Sequence, residues 1–348
     1  MKNCLPNYYQ LNKKNMNDEI VVAVGIDVAK ATLSICLNYQ NGNEKVLGIR
    51  NTDTDITKKL LSRMKEYSGK VVMESTGHYH WIPALILSEA GFDVYVVNPL
   101  LAKQYTGGGV RKIKSDPADA KSLARMARVA DNLPHPFSGN QKTLYLRKKL
   151  GLIASFGKQI QALTANLKSV KEGQEIVGGT ESVVIKQIEQ TIKTLKIQMK
   201  KLEEECVSEM REDEEMSKKM DLLCTVPGIS EFTSALCLHW FDSHKGTTAK
   251  SWIAYAGLDI SVRESGTWRG TCRLTKRGNA FLRKRLYSAA WGAWRNDENF
   301  VKYYDELREQ NRSYRESLLI ISRKLIRTAF SVLETGMPYD AKKCFPQV

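Results

Sequence analysis

Two short apolar runs that each end in an acid most tightly limit what this chain can fold into. Val21-Val22-Ala23-Val24-Gly25-Ile26 leads into Asp27, and Val71-Val72-Met73 leads into Glu74. Runs of this length, rich in β-branched residues, read as strands. The ends of strands are where an open α/β sheet places its chemistry. Two further acids, Asp116 and Asp119, stand three apart at the start of a predicted helix, so both side chains can point one way. Carboxylates with no Cys or His cluster beside them suit hard, oxygen-seeking ions such as Mg²⁺ or Mn²⁺. Taken singly, each acid has a plainer reading. Asp27 and Glu74 fit ordinary surface acids at strand ends. Asp116 fits a helix cap, with Pro117 at the first helical position and Asp119 favourable to the dipole. Capping explains that pair but not the other two, so the set of four favours a metal site.

The chain has 348 residues, enough for two domains plus a connecting element. Its net charge of +15 and pI near 9.4 call for a polyanionic partner. Membrane surfaces are anionic too, but no apolar run is long enough to span a bilayer. Residues 1–20 are polar and lack a secretory leader pattern. The expected partner is nucleic acid and the expected location is the cytoplasm, at the nucleoid. Seven scattered cysteines with no CxxC pair fit reduced thiols rather than a disulfide frame or a zinc site. His78-Tyr79-His80 follows Gly77, and reads as a segment that leads into a helix or faces substrate rather than as a metal ligand set.

Residues 1–18 read as a loose tail. From 19 to 137 an α/β pattern runs through strands at 20–27, 31–38, 45–51, 70–74 and 92–97, with helices at 53–66 and 79–90. Gly42 supplies the turn between the second and third strands, and Asn98-Pro99 stops the last. Residues 104–115 form a glycine-rich basic loop in which Arg111, Lys112 and Lys114 are candidates for phosphate contact. Between 138 and 220, Leu146, Leu150, Ile153, Ile160, Leu163, Leu167 and Val170 recur at a 3–4 spacing. Val184, Ile188, Ile192, Leu195, Met199 and Leu202 do the same. Two long amphipathic helices in an antiparallel coiled-coil hairpin, turning over Gly173 to Gly179, explain this. A mostly helical domain follows at 221–337, then a tail at 338–348.

In that last domain, Thr225-Val226-Pro227-Gly228-Ile229-Ser230 reads as a helix-hairpin-helix turn whose backbone around Gly228 can meet a phosphate, although Pro-Gly is also a generic turn. The basic hot spot lies at 260–285. Arg263, Arg269, Arg273, Lys276, Arg277, Arg283, Lys284 and Arg285 face one acid, Glu264: eight cations less one anion, a net +7. So much like charge repels itself unless a polyanion neutralises it. Arg263-Glu264-Ser265-Gly266 lies inside this stretch. Spacing alone reads it as a turn; the functional alternative is a serine nucleophile flanked by guanidinium groups.

Gly25-Ile26-Asp27-Val28-Ala29-Lys30, Glu74-Ser75-Thr76-Gly77, Asn98-Pro99 and Lys114-Ser115-Asp116-Pro117-Ala118-Asp119-Ala120 resemble the N-terminal half of the DEDD-type insertion-sequence transposases. This is the family of the Piv-type DNA invertases and the bridge-RNA-guided recombinases. Val226-Pro227-Gly228-Ile229, Ala256-Gly257-Leu258-Asp259, Ser265-Gly266 and Lys276-Arg277-Gly278-Asn279 are similar to its C-terminal transposase domain, so the resemblance spans about residues 20–335. It implies an α/β RuvC/RNase H-like N-terminal domain, a helical coiled-coil hairpin and a mostly helical C-terminal domain. It also implies that Asp27, Glu74, Asp116 and Asp119 hold the metal, and that Ser265 forms a transient phosphoserine link to DNA. Donor and target DNA, a structured guide RNA and a homo-oligomer between dimer and tetramer are the implied partners. The chain departs from the pattern at Ser230 (usually Gly), Ile260 (usually Pro) and Glu264 (usually Gln). Glu264 sets a negative charge beside the implied nucleophile, and Ser261 is a second candidate for that role.

No histidine lies between residues 245 and 348, which excludes a local Ser-His pair and leaves activation to a metal or a carboxylate. Three rival readings are open on sequence. One is a structure-selective nuclease that uses water. Another is an actin-like ATPase, although Val28-Ala29-Lys30 replaces the phosphate-binding turn expected after Gly-x-Asp. The third is a non-catalytic nucleic-acid-binding protein.

Overall fold

The computed structural model describes residues 20–64, 67, 69–106, 116–131, 133–177, 182–241, 248–261, 264–265, 268–269 and 273–345, with backbone alone for 104–106, 177, 182, 264–265 and 268–269. The chain divides into two compact units, Met1–Leu144 and Tyr145–Val348, and the division falls inside a helix.

The first unit is built on a five-stranded sheet: β1 (Val21–Val28), β2 (Thr32–Tyr39), β3 (Glu44–Arg50), β4 (Lys70–Glu74) and β5 (Asp93–Val97). The strand order is β3-β2-β1-β4-β5. β1, β2 and β3 form an antiparallel meander, whereas β4 and β5 run parallel to β1. Alternation along the strands gives the sheet two apolar faces. Ile26, Leu33, Ile35, Leu37, Val71, Met73 and Val94 form one core with Leu60, Ala84 and Leu87. The last two belong to α1 (Trp81–Glu89). Ala23, Val72 and Val97 form the other with Ala102 of α2 (Pro99–Thr106) and with Leu123, Met126 and Ala127 of α3 (Asp116–Val129). This strand order, with helices on both faces, is the RNase H-like arrangement.

The strands fall within a residue or two of their expected bounds, but some helices do not. The helix expected at 53–66 is a run of short turns, α-helical over Asp53–Asp55, π over Ile56–Leu60 and 3₁₀ over Leu61–Arg63. Two β-branched residues, Ile56 and Thr57, stand in its middle and weaken regular helix. Residues 77–80 are turns, so the next helix starts at Trp81 rather than at 79. Asp116 is already helical in α3, so it is not the cap of that helix.

In the second unit, α4 (Gln141–Val177) and α5 (Ser182–Arg211) form the expected antiparallel pair. Lys149 pairs with Glu205 and Glu209, and Lys171 with Glu189. Advancing 22 residues along α4 (149 to 171) moves the partner back 20 along α5 (209 to 189), so the helices run in opposite directions. The reversal lies later than expected, because α4 continues through Gly173. No atom crowds that glycine, and nothing there forces the chain to turn. One interior glycine costs a helix only about 1 kcal/mol. Stripe residues Leu150, Ile153 and Ile192 are buried, whereas Ile160, Leu163, Leu167 and Ile188 are half-buried, since a two-helix seam covers each side chain on one flank only.

The base of the hairpin joins a helical core made by α6 (Glu214–Cys224), α7 (Glu231–Phe241), α8 (Ala249–Tyr255), α9 (Ala280–Asn296), α10 (Glu298–Glu309) and α11 (Tyr314–Thr335). Stacking of Phe241 on Trp252, with ring centres 4.1 Å apart, anchors α7 to α8. A short helix, α12 (Ala341–Cys344), closes the described chain where a tail was expected. Among the described residues no helix is long and apolar enough to cross a membrane.

Candidate active site

Gly25 lies opposite Val72 and Ile26 opposite Met73 in the parallel β1–β4 pair. One residue further on, Asp27 and Glu74 stand side by side at the carboxyl ends of two adjacent strands. Period-2 alternation puts Asp27 on the face of Ala23 and Gly25, and Glu74 on the face of Val72. Both are on the side covered by α3.

Gly25 lets that helix come close. A Cβ at this position would stand 2.1 Å from the Ala124 nitrogen and 2.3 Å from the Ala120 carbonyl oxygen, so α3 lies backbone to backbone on β1. Asp116 is one turn before Ala120 on the same i,i+4 ridge, and Asp119 one turn before Leu123. With Ala120 fixed over Gly25, the first turn of α3 overhangs the strand ends and brings both acids toward Asp27. The electrostatics agree. Burial first, then the negative charges of Asp116, Asp119 and Glu74, push the Asp27 carboxyl up to about 6, against one favourable bond from the Val28 N–H.

The four acids expected to act together therefore converge. They do not form a closed cage: among the described residues no group of three or more Asp, Glu, His or Cys side chains is spaced to grip an ion. As a donor set they still fit a hard divalent cation, because all are oxygen ligands and Asp27 favours added positive charge.

The turn after β4 carries His78 and Tyr79, whose rings cluster with that of Trp81 at the start of α1, with centres 4.5 Å (His78–Tyr79) and 6.1 Å (His78–Trp81) apart. Sequence reasoning passed over Asn51, just past the end of β3. Asn-Thr-Asp reads locally as a helix start, and Thr52 does cap the following turn. Yet Asn51 is buried and its amide reaches the turns that follow Asp27 and Glu74, at the Ala29 and Tyr79 carbonyls.

In the second unit, Glu264–Ser265 (β6) pairs with Trp268–Arg269 (β7), with Ser265 opposite Trp268 across a two-residue connection. Ser265 thus ends its strand. Ser261 pairs with Arg273 in a separate two-stranded ladder. Arg111, Lys112, Lys114 and Arg263 lie outside the described residues. Arg273, Lys276, Arg277 and Lys284 are exposed. Two expected nucleic-acid contacts instead have partners within the unit. Arg283 donates to the Ala256 carbonyl (3.1 Å) beyond the end of α8. Arg285 pairs with Glu203 and lies over the rings of Phe232 and Phe281. Gly228 is exposed, but a Cβ there would stand 2.1 Å from the Ala289 carbonyl oxygen, so this turn packs on the backbone of α9.

An RNase H-like sheet with two carboxylates at the ends of adjacent parallel strands, and two more on the helix that covers them, defines a class of enzymes that transfer phosphoryl groups in nucleic acids. Residues 24–171 match the DEDD transposase model of IS110, and residues 220–305 match the model described as transposase, IS116/IS110/IS902 family. The chain belongs to the IS110 family of DEDD transposases. It is 24% identical to the pilin gene-inverting protein of Moraxella lacunata over 335 residues, 92% of this chain and 98% of that one. It is 27% identical to an insertion element IS110 protein of Streptomyces coelicolor over 122 residues, 35% and 30% of the two chains. Thermus thermophilus RuvC in complex with a Holliday junction substrate matches 34% of this chain and 99% of its own at 17% identity, with a TM-score of 0.25. A score that low adds nothing to the strand order.

Proposed function

We propose that this enzyme cuts and rejoins DNA as the transposase of an insertion sequence, through a covalent phosphoserine link and with the guidance of a structured RNA. The convergence of Asp27, Glu74, Asp116 and Asp119 carries this reading, because mutually repelling carboxylates, two at strand ends and two on α3, favour a bound cation. These four residues would hold Mg²⁺ or Mn²⁺, which would neutralise the phosphate under attack and assist ionisation of the hydroxyl.

Ser265 supplies that hydroxyl. Its oxygen forms a bond to phosphorus as the bond from phosphorus to one sugar oxygen breaks. The serine proton passes to a carboxylate base, and the released sugar oxygen takes up a proton. Attack by the hydroxyl of another strand reverses the step, so the phosphodiester energy is conserved and no ATP is needed. The position of Ser265 at a strand end opposite Trp268, and the lack of histidine between residues 245 and 348, support this assignment. Arg111, Lys112, Lys114, Arg263, Arg269, Arg273, Lys276 and Arg277, with the backbone of Gly228, contact phosphates. The protein acts as a homo-oligomer, dimer to tetramer, and the RNA pairs with donor and target DNA.

The test is a labelled cognate DNA incubated with Mg²⁺ and resolved under denaturing conditions. Wild type is expected to yield a protein–DNA adduct, and Ser265→Ala none. Asp27→Asn and Glu74→Gln are expected to lose cleavage by at least about 100-fold while keeping DNA affinity. Cleavage by Ser265→Ala without an adduct would identify water as the nucleophile, and an adduct that survives Ser265→Ala would refute the serine assignment.

A further inference from the structure

The geometry points to Asn51 as a positioning residue that fixes Asp27 and Glu74 relative to each other; this rests on the metal-holding role proposed for the four acids. Asn51 follows the last residue of β3 and is buried. Its backbone N–H donates to the Ala31 carbonyl at 2.9 Å. Its side-chain amide donates both hydrogens, one to the Ala29 carbonyl at 3.1 Å and one to the Tyr79 carbonyl at 3.0 Å. Ala29 is two residues beyond Asp27, on the turn that leaves β1. Tyr79 is five beyond Glu74, on the turn that leaves β4.

One planar amide thus ties together two turns, each of which extends from a strand end bearing an acid. β1 and β4 register directly only as far as the Ile26–Met73 pair. Beyond it Asp27 is held by Ser34 of β2 and Glu74 by Val97 of β5, so the two acid-bearing strand ends no longer pair with each other. The Asn51 bridge lies just past that point. Its own oxygen has no hydrogen-bond partner among the described residues. Burying that oxygen unpaired is unfavourable, a cost with no compensating hydrogen bond. An aliphatic side chain of the same shape avoids this cost but cannot donate, so the two N–H groups are what this position needs.

The experiment measures Mn²⁺ affinity of the full-length protein by the electron paramagnetic resonance signal of free Mn²⁺, without DNA. Asn51→Leu keeps the shape and removes both donors; it is expected to weaken Mn²⁺ binding roughly tenfold, as loss of groups that orient ligands does elsewhere. Ile49→Ala, a core cavity in the same strand, is the control: it lowers the unfolding midpoint and leaves Mn²⁺ affinity within about twofold of wild type. Should Asn51→Leu not fold, Asn51→Thr, which keeps one donor, takes its place with an expected weakening of at least about threefold. Wild-type affinity in the Asn51 variant, or an equal loss in Ile49→Ala, overturns the positioning role. If wild type and Asp27→Asn bind Mn²⁺ equally, the metal-site reading itself fails, which is a different result.

Discussion

Asp27 binds its proton more tightly in the folded protein than in an unfolded chain, with a value near 6 against an ordinary 3.8. Its ionisation therefore opposes folding. Below about pH 4 the residue is protonated in both states and imposes no penalty; between about pH 4 and 6 stability falls as the folded form is forced to give up its proton, and above that the loss is complete. Asp27→Asn removes the penalty. Without divalent ions, its melting midpoint at about pH 7.5 is expected to exceed that of wild type by a few degrees, and the two are expected to coincide near pH 4. Scanning fluorimetry across pH checks this; a gap that is absent or independent of pH would contradict the electrostatic account of the site. Sequence singled out all four acids, because an acid that ends an apolar run is conspicuous. It did not single out Asn51. A polar residue between a strand and a capped turn has an ordinary local explanation, and its two acceptors come from turns 22 and 28 residues away.

At the scale of elements, the joint between α3 and β1 decides where the acids go. Gly25→Ala places a methyl group 2.1 Å from the Ala124 nitrogen, a contact that backbone atoms cannot relieve without lifting the helix. We expect a loss of about 3 kcal/mol or more in urea denaturation. Cleavage should fall by about 100-fold, since Asp116 and Asp119 move with the helix. Gly48→Ala in β3, where nothing lies within 4 Å, is expected to change stability by less than about 1 kcal/mol. Equal effects at the two positions would show that the close approach does not matter. The strands were legible because their apolar runs encode them directly. The bend of the chain after α4 was not: Gly173 has the composition of a turn, yet hydrogen bonds on either side continue through it, as α4 runs on to Val177.

Over the whole molecule, the net charge of +15 predicts salt-sensitive binding to nucleic acid, each phosphate contact adding about 0.9 to the slope of log affinity against log salt on a DNA duplex. Replacing the exposed Lys276 and Arg277 together by alanine is expected to lower that slope by about 1.8. Arg285→Ala should leave the slope unchanged and unfold at lower denaturant, since its guanidinium pairs with Glu203 inside the second unit. Fluorescence anisotropy over a salt series separates the two; a slope that falls for Arg285→Ala would show that residue reaching DNA. The count of cations in 260–285 was plain from the residues alone, but the division between those that face solvent and those that brace the fold was not.

Strand identity, helix periodicity, the hairpin and the excess of positive charge are written in neighbouring residues, so the primary structure carries them without reference to anything distant. The meeting of Asp27 with Asp119, 92 positions later, has no such local record. It follows from the packing of α3 on β1 over Gly25, which admits a helix backbone to touching distance, and that packing exists only once the sheet has formed.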